Sequence, residues 1–493
     1  VDIGGTNFGP LCTGCVTVTY GGNAGGTNYP TVGTITCNVV TADTALLCNT
    51  VAGVGASHGW VMTIGSQTSG AKSSAVTSYA RPAITFLAGS LSNTAGGTEI
   101  TLTGTSFGPA SHSEASATYG PSSTPNLYSV TSCTVDSDTQ MRCDTVAGKG
   151  VDLQWTVTVG GQTPSSAYTA EKTSYLRPTI TSLSGGTMLT SGTSTVDVGG
   201  TNFGPTCSGC ITATYGGSAG TDYGPVTCNV TTANTAMVCN TVGGVGASHG
   251  WVMTIGSQTS GAKSSAVTSY ARPAITFLAG SLSNTAGGTE ITLTGTSFGP
   301  ASHSEASATY GPSSTPNLYS VTSCTVDSDT QMRCDTVAGK GVDLQWTVTV
   351  GGQTPSSAYT AEKTSYLRPT ITSLSGGTML TSGTSTVDVG GTNFGPTCSG
   401  CITATYGGSA GTDYGSVTCN VTTANTAMVC NTVGGVGADH GWVVTVESQA
   451  SVKSTATISY TAPAITSVVK TGGAGTLATA GTDTVDIGGT NFG

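Results

Sequence analysis

Charged side chains are scarce in this sequence of 493 residues. Asp, Glu, Lys and Arg together make up 8% of it, and 24 acidic residues outnumber 14 basic ones, which gives a formal net charge of −10. Nucleic-acid binding needs clustered Lys and Arg to neutralise phosphates. The composition therefore predicts no nucleic-acid partner.

Long apolar runs and helical periodicity are absent as well. No segment approaches the run of roughly 18 apolar residues that a transmembrane helix needs, so we expect no membrane span in this sequence. No stretch of about ten residues or more shows the spacing of an amphipathic helix. There is no initiator Met or signal peptide, but the sequence starts inside a repeat, so this is uninformative about secretion.

The sequence is instead rich in glycine, with 73 residues, and in alternating Val, Ile, Thr and Tyr. Residues 211–215 (ITATY) and 155–159 (WTVTV) show a period of two, which is typical of half-buried strands. Short strands separated by Gly, Pro, Asn and Asp turns favour β-sandwiches. We predict an all-β fold, with each module a seven-stranded antiparallel immunoglobulin-like sandwich and almost no helix.

The most informative feature is repetition. Residues 53–224 recur without change at 244–415, an offset of 191. Within that unit a Pro-x-Ile-Thr segment recurs every 94 to 96 residues, beginning at Pro82, Pro178, Pro273, Pro369 and Pro463. Self-similarity at a fixed period indicates a repeat architecture.

Two module types alternate, and only type A carries a Cys-x-x-Cys motif. The predicted domains are 1–80 (type A, without its first strand), 81–176 (type B), 177–271 (A), 272–367 (B), 368–461 (A) and 462–493, the start of a sixth module. Residues 485–493 repeat residues 1–9. We expect the sequence to be one five-module period of a longer array, in which a preceding period supplies the missing first strand.

All 16 cysteines fall into regular pairs. Each module has one pair 10 or 11 residues apart: Cys37/Cys48, Cys133/Cys143, Cys228/Cys239, Cys324/Cys334 and Cys419/Cys430. Type A modules add Cys12/Cys15, Cys207/Cys210 and Cys398/Cys401. Zinc would need two Cys-x-x-Cys pairs per site, which the spacing does not provide. The pattern predicts eight disulfides within modules and an oxidising compartment.

Three further motifs favour structural roles over chemical ones. Residues 55–59 (GASHG) match the nucleophile motif of serine hydrolases, but a strand rather than a helix follows, so we predict a turn. Asp136-Ser137-Asp138 resembles half a calcium loop, but it lacks the further oxygen ligands that calcium requires. The five tryptophans occur once per module and are predicted to be core residues rather than a ligand platform. The five histidines are predicted to lie in loops without a ligand role.

The repeat pattern resembles the IPT/TIG domain family. The type B segments 98–108 (TEITLTGTSFG), 133–145 and 156–162 (TVTVGGQ), with a preceding Pro-x-Ile-Thr and a closing Tyr, carry the resemblance. It extends over the whole chain as a tandem. The family implies an immunoglobulin-like sandwich and occurs in plexin-type ectodomains, giant surface proteins, some transcription factors and bacterial surface enzymes. The fold by itself fixes no function.

Asn229 and Asn420 begin N-glycosylation sequons (Asn-Val-Thr), whereas the corresponding Asn38 does not. Both asparagines are predicted to carry glycans, and Ser/Thr-rich runs beside proline suit O-glycosylation.

The module joins are short. Only Ala80 and Arg81 separate Tyr79 from Pro82, and proline restricts the backbone on both sides of its own bond. We expect a rod of modules that is extracellular or at the cell surface. The predicted role is the shaft of an extracellular filament or of a flagellar hair (mastigoneme-like). The expected partners are copies of itself and other surface glycoproteins. The alternative is the stalk of a receptor or adhesin that presents a binding head elsewhere. We expect no enzyme activity, no metal and no cofactor.

Overall fold

The computed structural model describes residues 1–493 except 23–26, 32, 90, 111, 132, 165–166, 218–221, 281, 302, 304, 323, 356–358 and 409–412. Its regular secondary structure over these residues is β-strand, without an α-helix. No helix among them is long and apolar enough to cross a membrane. The all-β prediction is therefore confirmed.

The chain forms two compact units, whose division passes through the third module. The first unit comprises Val1–Gly186, Thr195–Thr241 and His249–Thr268, and the second comprises Thr187–Ser194, Val242–Ser248 and Ser269–Gly493. The first unit holds modules 1 and 2 and the whole sheet of module 3. The second unit holds modules 4 and 5, the start of module 6 and three shorter parts of module 3.

Type B modules consist of two sheets. In module 2 the strands are β9 (Ala83–Ala88), β10 (Leu91–Ser92), β11 (Glu99–Thr105), β12 (Ala115–Gly120), β13 (Tyr128–Val130), β14 (Thr134–Ser137), β15 (Gln140–Asp144), β16 (Leu153–Val159) and β17 (Tyr168–Tyr175). One sheet has the order β14-β15-β11-β9 and the other β10-β17-β16-β12-β13. The expected seven antiparallel strands are therefore nine, and β10 pairs with β17 in parallel.

Type A modules consist of one continuous sheet. Module 1 contains β1 (Asp2–Gly4), β2 (Cys12–Gly22), β3 (Asn28–Tyr29), β4 (Ile35–Thr41), β5 (Ala45–Cys48), β6 (His58–Ile64), β7 (Gln67–Thr68) and β8 (Val76–Thr77). Module 3 contains β18 (Thr179–Ser184), β19 (Thr195–Thr201), β20 (Cys207–Gly216), β21 (Asp222–Thr232), β22 (Ala236–Asn240), β23 (His249–Ile255), β24 (Gln258–Thr259) and β25 (Val267–Thr268).

The second unit repeats these arrangements. Module 4 has β26 (Ala274–Ala279), β27 (Leu282–Ser283), β28 (Glu290–Thr296), β29 (Ala306–Gly311), β30 (Tyr319–Val321), β31 (Cys324–Ser328), β32 (Gln331–Asp335), β33 (Leu344–Val350) and β34 (Tyr359–Tyr366). Module 5 has β35 (Thr370–Ser375), β36 (Thr386–Thr392), β37 (Cys398–Gly407), β38 (Asp413–Thr423), β39 (Ala427–Asn431), β40 (His440–Val446), β41 (Gln449–Ala450) and β42 (Thr457–Ile458). A separate pair, β43 (Ala464–Lys470) and β44 (Val485–Thr490), follows.

Strand β21 makes the sheet of a type A module continuous. It pairs with β20 on one side and with β22 on the other, so it joins the two groups of strands. The Cys-x-x-Cys motif lengthens β20 at its start, with a bulge between Cys207 and Ile211. The matching strand of type B, β12, begins only at Ala115 and pairs with β13 and β16.

Each module has a core built on a Tyr–Trp stack. Trp155 lies on Tyr119 with ring centroids 4.3 Å apart, and its indole N–H donates to Thr173 Oγ1 at 2.9 Å. Trp60, Trp251, Trp346 and Trp442 are buried in the same way. The alternation of apolar residues along β16 places Leu153, Trp155, Val157 and Val159 on the core face, as a period of two requires.

Candidate functional site: cross-links and module junctions

The structure joins all sixteen cysteines in eight disulfides. They are Cys12–Cys15, Cys37–Cys48, Cys133–Cys143, Cys207–Cys210, Cys228–Cys239, Cys324–Cys334, Cys398–Cys401 and Cys419–Cys430. Each bond lies within one module. Disulfides at this density are typical of an extracellular or cell-surface protein.

The longer pairs link neighbouring antiparallel strands at directly opposed positions. Cys37 faces Cys48, and Cys228 faces Cys239, in the register of their sheets. The Cα atoms of Cys133 and Cys143 are 4.5 Å apart. These cysteines are buried in the cores, so each cross-link ties a strand pair from inside the module.

The Cys-x-x-Cys loop is held by the asparagine that follows the next cysteine. Gly209 N–H donates to Asn229 Oδ1 at 2.6 Å, and the same bond joins Gly400 to Asn420 at 2.6 Å. Gly209 has φ of +62°, a conformation that glycine adopts without strain. The exposed asparagine amide therefore fixes the loop through its carbonyl oxygen.

The third copy of this bond clarifies the sequons. Gly14 N–H donates to Asn38 Oδ1 at 2.8 Å, although Asn38 begins no sequon. Asparagine is thus required here for the loop itself, with or without a glycan. Glycosylation of Asn229 and Asn420 remains a prediction.

The hydrolase-like motif is a turn into a strand. Ser57 has φ of +58°, and His58 is the first residue of β6. His58 Nε2 lies 3.1 Å from the carbonyl oxygen of Val54, and its ring is buried among tyrosines. This geometry gives the histidine a core position and no nucleophile to activate.

The expectation that the histidines lie in loops is wrong for His58, His249 and His440. Each begins a strand and is buried. The corresponding residue of type B is Leu153, which is equally buried. In type A the histidine takes the place of this leucine and packs the edge of its ring against tyrosine rings. The neighbouring Ser and Gly residues in the sequence do not indicate that the histidine is buried.

The Asp-Ser-Asp motif is also explained by protein contacts. Both Asp136 oxygens bind the Arg142 guanidinium at 2.8 Å, and this interaction lowers the pKa of the Asp136 carboxyl. Asp138 Oδ1 accepts the Gly108 N–H at 3.1 Å. Among the described residues no group of three or more His, Cys, Asp or Glu could hold a metal ion.

Contacts between consecutive modules are of two kinds, and the residue at one loop position distinguishes them. That position, which we call the junction residue, is Val54, Lys149, Val245, Lys340 and Val436 in modules 1 to 5. In every module it lies in a Val-x-Gly-x-Gly segment. It alternates with module type, and the sequence analysis overlooked it.

At the valine junction, valine enters the core of the following type B module. Val54 is 6% exposed and belongs to the core cluster of module 2. It lies directly on Gly108, where a Cβ would overlap with Val54 Cγ1. Val245 packs on Gly299 and the core of module 4 in the same way. Val436 is 46% exposed and lies against Gly493, where a Cβ would be 3.0 Å from Val436 Cγ1.

Main-chain contacts accompany the valine. A Cβ on Gly160 would lie 2.6 Å from the Gly55 nitrogen, so the two backbones touch. Gln162 Nε2 donates to the Tyr79 carbonyl at 3.2 Å. The ring of His112 lines this contact in a defined state, because Nε2 donates to Phe107 O and Nδ1 accepts the Glu114 N–H. The carboxylates of Glu114 and Asp138 lie beside Val54 in the clefts at this junction.

At the lysine junction, the side chain runs across Gly204 of the following type A module. A Cβ on Gly204 would be 3.5 Å from Lys149 Cβ, an ordinary contact. The ammonium reaches to 3.9 Å from Cys207 Sγ, and burial lowers the pKa of Lys149. In the second unit Lys340 pairs with Glu447 at 3.0 Å.

A hydroxyl contact supports these junctions at a second point. Thr94 Oγ1 donates to Asn234 Oδ1 at 2.6 Å, across the junction between modules 2 and 3. Thr190 donates to Asp329 in the second unit. Asp329 also accepts the Gly299 N–H at 3.0 Å. One carboxylate therefore accepts a hydrogen bond from its own module and another from the preceding module.

These contacts define a tandem of immunoglobulin-like domains that dock through repeated surfaces. The IPT/TIG domain model matches residues 87–171 and 278–362, which lie in the two type B modules. The two type B modules therefore match the IPT/TIG family, as the resemblance implied. Such domains are generally non-enzymatic. No curated protein sequence matches the chain.

Several solved structures match this chain at low similarity. The plexin A4 extracellular region is 13% identical, with 89% of this chain and 40% of that chain covered and a TM-score of 0.19. An ICAM-5 ectodomain fragment is 12% identical, with coverages of 76% and 99% and a TM-score of 0.23. The Escherichia coli adhesin FdeC is 16% identical, with coverages of 58% and 97% and a TM-score of 0.19. The chain thus spans less than half of the plexin A4 region.

Proposed function

We propose that this chain forms the repeating shaft of an extracellular filament or cell-surface appendage, such as a flagellar hair. The observation that carries this proposal is the recurrence of the same junction along the chain. Gly160 against Gly55 and Gly351 against Gly246 are the same backbone contact, once in each unit. Side-chain contacts at these junctions are equally repeated.

A shaft needs joints that resist bending, and these joints are built for that. A buried valine, touching glycine backbones and a Gln–carbonyl bond all constrain one interface. Loss of any one of them leaves the others in place. Disulfides inside each module add resistance to unfolding.

The alternative is a stalk that carries the binding head of a receptor or adhesin. The same joints would suit it. The two functions differ in self-association, because a shaft binds copies of itself whereas a stalk stays single.

Electron microscopy of the secreted chain distinguishes the two. The shaft predicts long fibres with an axial repeat set by five modules. Single stalks that stay monomeric at high concentration, by light scattering on the same sample, would instead support the receptor or adhesin stalk. Peptide mass mapping of that material would also show whether Asn229 and Asn420 carry glycans.

A further inference from the structure

The Cys-x-x-Cys disulfides lie nearer the surface than the other five. Cys207 and Cys210 are partly exposed, and the two residues between them are exposed. Cys228 and Cys239 of the same module are fully buried. A thiol has to reach a sulfur atom in order to attack it, so in this module only the Cys-x-x-Cys bond is open to a thiol in solution.

The lysine junction places a cation beside one of these two sulfurs. Lys149 Nζ lies 3.9 Å from Cys207 Sγ, across the contact between modules 2 and 3. Burial lowers the pKa of Lys149, because it removes water from around the ammonium. A thiolate formed at Cys207 would compensate this loss as a counter-ion, and a cation of this kind stabilises a thiolate.

We propose that the Cys207–Cys210 bond is a site of thiol–disulfide exchange, which takes a small monothiol as a mixed disulfide on Cys210. The monothiol first loses its proton to water, and its thiolate attacks Cys210 Sγ. A new S–S bond forms there while the Cys207–Cys210 bond breaks. The electron pair of the broken bond leaves on Cys207 Sγ, where the Lys149 ammonium stabilises it. A disulfide exchanges faster when its leaving thiolate is stabilised.

A second molecule of the monothiol completes the reduction. Its thiolate attacks the sulfur of the first, which releases the oxidised dimer of the reagent and leaves both cysteines reduced. The reaction takes place within one chain, so it does not depend on whether the chain forms a filament or a stalk.

Module 5 provides an internal comparison with the same loop and a different charge. Cys398 and Cys401 are partly exposed, as in module 3. The corresponding lysine, Lys340, is already paired with Glu447 at 3.0 Å, and module 3 has Gly256 in place of this glutamate. The charge of Lys340 is therefore less available to a leaving thiolate.

Module 1 separates the effect of charge from that of access. No lysine precedes Cys12 in the sequence, but Cys15 is exposed whereas Cys210 is only partly exposed. If access alone set the rate, module 1 would exchange fastest. If the lysine sets it, module 3 exchanges fastest.

The test treats the oxidised chain of 493 residues with a low concentration of reduced glutathione, stops the reaction with acid and maps the mixed disulfides by tandem mass spectrometry. Tryptic peptides of modules 3 and 5 are distinguishable, because one contains Pro225 where the other contains Ser416. Exchange in module 3 should be about fivefold faster than in modules 1 and 5.

Four variants assign the effect to the lysine charge. Lys149→Met should slow exchange in module 3 about fivefold, whereas Lys149→Arg should keep most of the rate because the charge is kept. Lys172→Met is the matched control, since it removes the same charge from an exposed position on β17 and should leave the rate unchanged. Glu447→Gln frees Lys340 and should raise the rate in module 5 towards that in module 3.

Misfolding would change the rate in the opposite direction, because a loosened junction exposes the sulfurs and speeds exchange. An unchanged or faster rate in Lys149→Met would therefore overturn the proposal. Fastest exchange in module 1 would also overturn it, by showing that access to the sulfur sets the rate. Glutathione found mainly on Cys207 would contradict the assignment of the leaving sulfur.

Discussion

The valine and lysine junctions lead from the same loop to different kinds of interface. Val54 is enclosed by the next module, and a Cβ at position 108 would overlap with its Cγ1 atom. Lys149 stays half-buried. Gly204 has a positive φ, which favours glycine, but a Cβ at this position would make only an ordinary contact with Lys149. One joint depends on close packing against a glycine, whereas the other depends on a long side chain that crosses the neighbouring module. Two joints of different chemistry can therefore be perturbed one at a time.

The largest loss of stability, in both module types, is expected at alkaline pH. Burial, followed by the hydrogen bond with Tyr119, raises the pKa of Tyr175 above its ordinary value of 10. Burial and the bond with Tyr406 do the same for Tyr460. The folded state thus keeps these phenols protonated, so stability is complete below about pH 10 and falls as the pH rises above it.

Absorbance at 295 nm and circular dichroism, recorded together, would check this. Ionisation of the buried tyrosines should coincide with loss of β structure in both module types. Full ionisation of all 17 tyrosines with β structure intact would contradict it.

The second largest effect is expected from removing disulfides, and the loss of stability should differ between the two module types. Removing Cys133–Cys143 and Cys324–Cys334 by alanine should lower the free energy of unfolding of type B modules by about 3 kcal/mol, by the loop-closure relation. Removing Cys207–Cys210 and Cys398–Cys401 closes a shorter loop and should lower that of type A modules by about 2 kcal/mol. Calorimetry measures both, and peptide mapping without reductant should find no free thiol in the parent chain. A larger loss from the short loop would show that it contributes more than chain entropy.

Glycine substitutions compare the junctions directly. Gly108→Ala with Gly299→Ala combines a positive φ of about +90° with overlap on valine, and should cost about 3 kcal/mol per module. Gly204→Ala with Gly395→Ala meets only the backbone strain and should cost about 1 kcal/mol. Urea unfolding of the two chains gives the difference. Equal costs would mean that Val54 and Val245 move aside without penalty.

The buried histidine offers a smaller contrast. Neither ring nitrogen of His440 has a hydrogen-bond partner among the described residues, whereas type B has leucine in the same place. His440→Leu should therefore raise the stability of module 5 by about 1–2 kcal/mol, because an unsatisfied buried polar group is removed. Leu153→His is the matched reverse change and should destabilise module 2. A lower melting temperature for His440→Leu would show that the tyrosine rings around this position favour histidine over leucine.

The smallest effect is expected at the ion pair of one lysine junction. Glu447→Gln removes the bond to Lys340, and should cost less than about 1 kcal/mol because the glutamate is exposed. The loss should shrink in high salt. The matched junction has Gly256 in place of Glu447, so its stability should be insensitive to salt over the same range. Salt dependence at both lysine junctions would show that the effect comes from the lysine alone and not from its pairing with Glu447.

Local pattern was sufficient for the strands, the two module types and the pairing of cysteines. The period of two in β16 is visible in the sequence, and so is the regular spacing of Cys37 and Cys48. Strand count was less accessible, because short strands such as Leu91–Ser92 exist only through pairing with a distant partner, here β17. The continuous sheet of type A depends on pairing in the same way, because β21 pairs with both β20 and β22.

The sequence by itself determined the all-β fold, the repeats and the cross-links, because strand alternation and cysteine spacing are local properties of the chain. Only the tertiary structure decided what Val54, Lys149 and Asn229 do. Their partners, Gly108, Cys207 and Gly209, lie in another module or on another strand, so no local pattern connects them. The alternation of Val and Lys was present in the sequence from the start, but its meaning comes from the surface that each side chain meets.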